Sequence, residues 1–309
     1  MTLALLLASR LMAVALAEPT EVGVVFFGDS GTGGPAQVQV AEAVGTFCAA
    51  GRCDLLLLLG DNFMPAGVDG VDDPQWQPKV VEPYAPLGLP IRPVLGNHDH
   101  AGDAQAQVDF TARSDLWDMP ALYYTFSMGP VAFFALDTDR MDWRQRHWLR
   151  RGLRHSGAAW NVVFGHHPLR SWGPHGPARG ALARIARPVE RFADFYLCGH
   201  EHGQQVLRGQ AIHAVMASGG SPPREVGEGP DTLYAAARRG FGHLLMDGRQ
   251  ATLTVVEANG EVGFQQIFEA GEAPWGVAPD PRTENGFPLH PPRVFPGQER
   301  HGHPPEETP

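Results

Sequence analysis

The sequence predicts an α/β domain whose last part is all β. Three observations carry this. Residues 22–28 (VGVVFFG), a helical stretch opened by Pro35 and the strand 54–59 form a βαβ unit, which implies a parallel pair joined by a right-handed crossover. Strand and helix patterns then alternate as far as residue 198. After residue 204 only short strand patterns follow, with Asp247-Gly248 and Asn259-Gly260 as hairpin dipeptides.

The first strand runs into a glycine-rich turn. Pro35 suits the first turn of a helix, Val40, Ala41, Val44 and Phe47 give it an apolar face, and Gly51 lies just past its end. Leu55–Leu59 is an unbroken apolar run, the mark of a strand buried on both faces. Residues 91–95 form a further strand. Within 121–137, LYYTF and VAFFAL flank Met128-Gly129-Pro130 and read as a hairpin. A helix at 142–154 leads to a strand at 161–164, and a helix near 181–192 leads to a strand at 194–198. The strands 204–208, 211–216, 241–247, 251–256 and 262–268 complete the domain. No internal repeat is present.

Composition sets limits. A chain of 309 residues with 43% hydrophobic and 19% charged content can bury a sizeable core. A formal net charge of −10 gives a nucleic-acid partner no electrostatic support, so none is expected. The arginines at 140, 144, 146, 150, 151 and 154 lie in a helical pattern and read as a solvated face. Residues 1–17 are apolar and end in Ala15-Leu16-Ala17, a small-x-small cleavage pattern. They are expected to be an export signal, for a periplasmic or secreted protein. If they are not one, the protein is cytoplasmic. Arg10 breaks the stretch, and no other segment suits a membrane span, so no stable anchor is expected. Residues 18–270 are expected to form the catalytic domain. Residues 271–309, rich in Pro and Gly, are expected to be a poorly ordered tail. Cys48 and Cys53 are spaced for a local disulfide in an oxidising compartment, or are a helix-end thiol and a loop thiol. Cys198 reads as core.

Polar residues recur at strand ends, each group behind a glycine: Gly28-Asp29-Ser30-Gly31, Gly60-Asp61-Asn62, Gly96-Asn97-His98-Asp99, Gly165-His166-His167-Pro168 and Gly199-His200-Glu201-His202. Carboxyl ends of strands line one crevice in an open α/β sheet, so these groups are expected to converge there. Glycine lets backbone and ligand side chain approach closely. Carboxylate, amide oxygen and imidazole together suit Zn, Mn or Fe. One such dipeptide is a turn or a cap; five in register are a metal site.

A serine-hydrolase reading of Gly-Asp-Ser-Gly fails. A chymotrypsin-like protease needs His and Asp upstream of its serine, and no histidine precedes Ser30. A GDSL-type esterase needs Asp three residues before a catalytic His, and none of the 14 histidines has one.

The set GD…GDN…GNHD…GHHP…GHEH resembles the calcineurin-type metallophosphoesterase superfamily, and within it the purple, tartrate-resistant acid phosphatases. The likeness extends to "YTFSMGPVAFFALDT", "HGP" at 175–177 and "YLCGHEH", and covers roughly residues 22–268. It implies an α/β sandwich of two mixed β-sheets flanked by helices, ending in a β-meander, with two metal ions (Fe, Mn or Zn) between the sheets. It implies that Asp61 bridges the metals, that Asp29 and His202 hold the first, and that Asn97, His166 and His200 hold the second. The pair would lie about 3.5–4 Å apart, lower the pKa of a bound water toward ~7 and clamp a phosphate. His98 matches an outer-sphere histidine that hydrogen-bonds the phosphate or protonates the leaving oxygen, with Asp99 to orient it. His175 matches a second substrate-side histidine. His100 and His167 read as incidental neighbours.

Two departures stand out. Gly31 replaces a histidine common in the superfamily, and Met64 replaces the tyrosine that purple phosphatases carry three residues after the bridging Asp. A thioether is a poor ligand for ferric iron, so divalent ions should compete better at the first site. The implied activity is hydrolysis of small-molecule phosphate esters, as a phosphomonoesterase. The alternatives are a phosphodiesterase or nucleotide hydrolase on the same centre, or a degenerate member that binds phosphate without turnover.

Overall fold

The computed structural model describes residues 19–271. The expected export signal lies outside them, as does the expected tail apart from its first residue.

The described strands are β1 (Glu21–Phe27), β2 (Leu55–Leu59), β3 (Ile91–Val94), β4 (Tyr124–Met128), β5 (Val131–Ala135), β6 (Trp160–Phe164), β7 (Phe195–Cys198), β8 (Gln204–Arg208), β9 (Ile212–Met216), β10 (Thr232–Ala236), β11 (Gly240–Asp247), β12 (Gln250–Glu257) and β13 (Val262–Glu269). They form a six-stranded sheet in the order β13-β12-β11-β1-β2-β3 and a seven-stranded sheet in the order β10-β8-β9-β7-β6-β5-β4. Both sheets are mixed. β1, β2 and β3 pair in parallel while β11, β12 and β13 form an antiparallel meander against β1. In the second sheet β5, β6, β7 and β9 run parallel, edged by the antiparallel β4 and by the β8–β10 pair.

Period-2 alternation divides the core. In β5, Val131, Phe133 and Ala135 face the layer between the sheets, while Ala132 and Phe134 face outward. β6 and β7 repeat the pattern: Val162, Phe164, Phe195 and Leu197 point inward, Val163, Tyr196 and Cys198 outward. The outward set is covered by Leu149 and Leu153 of the helix Trp143–His155, and by Ile185 and Val189. The helix Pro35–Ala50 lies against the first sheet and buries Val40, Ala41 and Val44. All five leucines of β2 are buried, and each contributes roughly 1.5–3 kcal/mol by leaving water.

Most elements lie where the sequence puts them. The helix expected near 181–192 is two, Gly180–Ala183 and Ala186–Phe192. Pro188 lies in the first turn of the second, where its missing N–H breaks no intrahelical bond. The arginine face is solvated as expected: Arg150, Arg151 and Arg154 are exposed. Cys48 and Cys53 form a disulfide at the end of the first helix, and Cys198 is buried.

Candidate metal centre

The five strand-end groups meet, but they come from both sheets and not from one crevice of an open sheet. β1, β2 and β3 deliver Asp29, Asp61 and Asn97 from the first sheet; β6 and β7 deliver His166, His200 and His202 from the second. Backbone bonds stitch the ends together: Asp29 N–H to the Gly60 carbonyl (3.0 Å), Gly199 N–H to His166 (2.9 Å) and, across the sheets, Gly28 N–H to Met216 (2.7 Å). The glycines have a geometric cause. A side chain at Gly96 would collide with the Asp61 carboxylate, and one at Gly60, where φ is +87°, would meet the His166 ring.

Among the described residues, the non-glycine positions with left-handed backbone are Asp29 (φ 55°), Asp61 (53°), His200 (76°) and His202 (54°). All four belong to the expected ligand set. Such a conformation costs roughly 1–3 kcal/mol per residue and persists only where the surroundings enforce it.

The donor atoms crowd together. Asp29, Asp61 and His166 each offer a ligand atom within 4.8 Å of the others. His166 is fully buried, and its Nδ1 lies 2.9 Å from the Leu59 carbonyl, which can only accept, so Nδ1 carries the hydrogen. Its Nε2 is then a bare lone pair, and it faces Asn97 Oδ1 at 3.2 Å, His200 Nδ1 at 3.2 Å and Asp61 Oδ2 at 3.4 Å. Asp29 Oδ2 accepts from the His200 N–H at 2.8 Å, while its buried Oδ1 has no hydrogen-bond donor and lies 3.3 Å from His202 Nε2.

The electrostatics agree. Burial, reinforced by the Asp61 charge, holds the Asp29 carboxyl well above the usual range, and burial likewise raises Asp61. Burial and neighbouring imidazoles push His166 and His200 far down. Burial, then the Arg224 charge, lowers His202 to about 4. Neutral imidazoles and carboxylates that resist ionisation are what a cation-binding site looks like with its cation left out of account. The residues present fit a metal pair. Asp61 Oδ2 lies 3.4 Å from His166 Nε2, and its charge also acts on His202.

The remaining expected residues divide. His98 stands at the mouth, its side chain 35% exposed, with its backbone N–H donating to Asp61 Oδ1 at 3.0 Å and its Nε2 3.9 Å from Asp61 Oδ2. His175 packs its ring 4.3 Å from His200. Asp99 requires a correction: it does not orient His98. Its fully buried oxygens accept from the N–H groups of Asn62, Phe63 and Gly96 and from Gln107 Nε2, and His98 Nδ1 bonds the Pro65 carbonyl instead. Asp99 thus ties the Asp61 loop to the Asn97 loop from beneath. Burial, with Asp61 next, raises its pKa to about 6.

His100 pairs with Asp137 at 3.0 Å, and His167 Nδ1 with Thr138 Oγ1 at 2.9 Å, which suits neighbours that support the site. At Gly31 a Cβ would collide with the Asn62 carbonyl, so this backbone has no room for the histidine found in other superfamily members. Met64 is half-buried at the edge, its sulfur accepting from Ser221 Oγ at 3.2 Å.

Sequence reasoning missed two residues. Glu201, fully buried, accepts from the His175 backbone N–H at 3.1 Å and lies 3.3 Å from its Nδ1; its place between two candidate ligands was the available signal. Arg224 lies 3.4 Å from His175 Nε2, in a loop whose Pro-rich sequence carries no signal.

Comparison with known proteins identifies the family and the fold. The chain is 28% identical to mouse "Tartrate-resistant acid phosphatase type 5", over 74% of this chain and 81% of that one. It is 29% identical to "Purple acid phosphatase 7" of Arabidopsis thaliana, over 61% and 66%. Among solved structures it shares its fold with GAP50 of Plasmodium, described as the anchor in the inner membrane complex (TM-score 0.72, 21% identity, 82% of this chain and 90% of that one). It shares it too with a dimetal phosphatase from Danio rerio (TM-score 0.58, 12% identity, 81% and 99%). The model of the calcineurin-like phosphoesterase family matches residues 23–204, more than half the chain, and the protein belongs to that family.

Proposed function

We propose that the protein is a metal-dependent phosphomonoesterase acting on small phosphate esters. The observation that carries this is that Asn97 Oδ1, His200 Nδ1 and Asp61 Oδ2 all lie within 3.4 Å of His166 Nε2, a buried set of amide, imidazole and carboxylate atoms that suits a cation. Asp29 and His202 would hold one ion, and Asn97, His166 and His200 the other, with Asp61 shared between them. When bound, such a pair would supply Lewis acidity and lower the pKa of a water. Zn, Mn and Fe(II) all suit this donor set.

The chain's own residues do the rest. The Leu59 carbonyl fixes the His166 tautomer, as outer partners of ligating imidazoles do. Pro65 similarly holds His98 Nδ1 at 2.6 Å and so aims Nε2 at the mouth; once protonated as the imidazolium, His98 would give its Nε2 proton to the leaving oxygen. Buried Glu201 fixes His175 at the substrate side. Residues 18–270 make up the catalytic unit, and truncation after Ala270 is expected to leave folding and rate intact; a lower melting temperature would contradict that. The Cys48–Cys53 disulfide supports export to an oxidising compartment. Among the described residues no helix is long and apolar enough to cross a membrane.

The test is an assay of metal-reconstituted protein on aryl phosphate mono- and diesters, with metal content measured on the same sample. Monoester turnover that tracks metal content and disappears on chelation is expected. Full metal loading without turnover would contradict the reading.

A further inference from the structure

Arg224 is an exposed guanidinium with an unusual position. Its backbone N–H donates to the His202 carbonyl at 2.6 Å, so the residue rides on the strand-end loop that carries two expected ligands. Its side chain reaches His175 Nε2 at 3.4 Å. Among the described residues it has no carboxylate within ion-pair distance, unlike Arg52, Arg92, Arg113, Arg170 and Arg238. Its charge is nonetheless among those acting on Asp29 and His202.

The contact with His175 has a defined sense. Fully buried Glu201 Oε2 faces His175 Nδ1 at 3.3 Å, so that nitrogen carries the hydrogen and donates. His175 Nε2 is then an acceptor, and it takes one N–H of Arg224. A guanidinium has five N–H donors in a planar fork, so most remain free for an anion at the mouth. The buried Glu201 carboxylate thus fixes His175, and His175 holds Arg224 at the mouth.

We propose that Arg224 binds the outward-facing terminal oxygens of a phosphate dianion and thereby selects phosphomonoesters over phosphodiesters. This rests on the phosphoesterase reading above. A monoester dianion presents a charged oxygen where a diester carries its second organic substituent. A planar, charged donor fork pairs with two such oxygens at once. At a diester it meets a neutral ester oxygen and a bulky group, and the pairing is lost.

The experiment compares wild type, Arg224→Gln and Arg224→Lys, each with measured metal content, on an aryl phosphate monoester and its diester. Loss of one charge-assisted contact should lower monoester kcat/KM by about 10–100-fold, mainly through KM, with the diester changed less than ~3-fold. Inhibition by inorganic phosphate should weaken in parallel. Arg224→Lys should recover part of the loss, since it keeps the charge without the fork. Equal losses on both esters, or no loss, would overturn the proposal and leave the phosphoesterase reading intact. If the wild type hydrolyses neither ester, calorimetry with inorganic phosphate decides. Weaker binding by Arg224→Gln then supports the recognition role although the proposed activity has failed; unchanged or absent binding overturns the role as well.

Discussion

Two clusters of buried and half-buried ionisable groups, one against the second sheet and one where the strand ends of both sheets meet, are built on opposite principles. Around Glu190, charges and donors balance. One oxygen accepts from Arg170 Nε at 2.7 Å and faces His213 Nε2 at 3.0 Å; the other accepts from the N–H groups of Gln210 and Ala211 at 2.7 and 3.1 Å. Arg170 also reaches Asp231 at 3.2 Å. Desolvation alone would raise the Glu190 carboxyl, but His213, the Ala211 N–H and Arg170 outweigh it and bring it down to about 2. At the strand ends the balance is absent. Carboxylates are raised, imidazoles lowered, and ligand backbones held left-handed. In the first cluster the carboxylate finds all its partners within the protein, and the one group left over is the buried His213 Nδ1. The second is complete only with cations, which is how a functional site departs from the rules that a stabilising one obeys.

Substitutions should separate the two. The largest effect is expected at Asp61. Asp61→Asn removes the charge between the two ligand groups and should lower bound metal and abolish turnover, beyond the ~10²–10⁴-fold scale of an acid–base group. Elemental analysis with an activity assay checks this; a variant that keeps both metals and a near-normal rate would break the contrast. His98→Ala comes next. It should keep metal stoichiometry while kcat falls about 10²–10⁴-fold. Metal loss with an unchanged rate per metal would make His98 a ligand.

Asp99→Asn should act through position, weakening metal affinity by about 10–100-fold, the usual cost of losing an outer partner. It also carries a pH signature. Asp99 is raised from 3.8 to about 6, so the native state holds its proton more tightly than the unfolded chain does. In metal-stripped protein its contribution therefore grows as pH falls from about 6 towards 3.8, and Asp99→Asn should lose that slope in denaturant titrations. Glu190 has the opposite sign. Its contribution is full above 4.5 and is lost as pH falls towards about 2. Glu190→Gln should cost about 1–3 kcal/mol of stability at neutral pH, with metal content and rate per metal unchanged. The smallest effect is a spectroscopic one. Wild type loaded with iron should lack a tyrosinate band, and Met64→Tyr should introduce one, since position 64 borders Ser221 and the Asp29 loop. No band despite bound ferric iron would mean that position 64 faces away from the site.

Legibility in the sequence followed the same division. Gly-Asp, Gly-Asn-His and Gly-His pairs at strand ends are local signals, so the residues that meet at the candidate site could be read one by one. The strands were legible wherever apolar runs or alternation marked them. β10 was not, because Thr232–Ala236 is half-buried along its whole length and shows no alternation. The helical segments Gln77–Val81, Glu82–Tyr84 and Ala85–Leu87 were hidden by their prolines. Asp99 was misread because adjacency to His98 says nothing about where a carboxylate points once Asn62, Phe63 and Gln107 arrive from distant sequence. Arg224 and Glu190 owe their positions entirely to such long-range contacts.

The central claim is that Asp61 lies between two metal ions. A crystal structure of the metal-loaded protein, with anomalous data collected at the metal edge, tests it most directly. Two anomalous peaks about 3.5–4 Å apart are expected, one beside Asp29 and His202, the other beside Asn97, His166 and His200, with the Asp61 carboxylate touching both. A single ion, or a pair that Asp61 does not contact, would contradict the account.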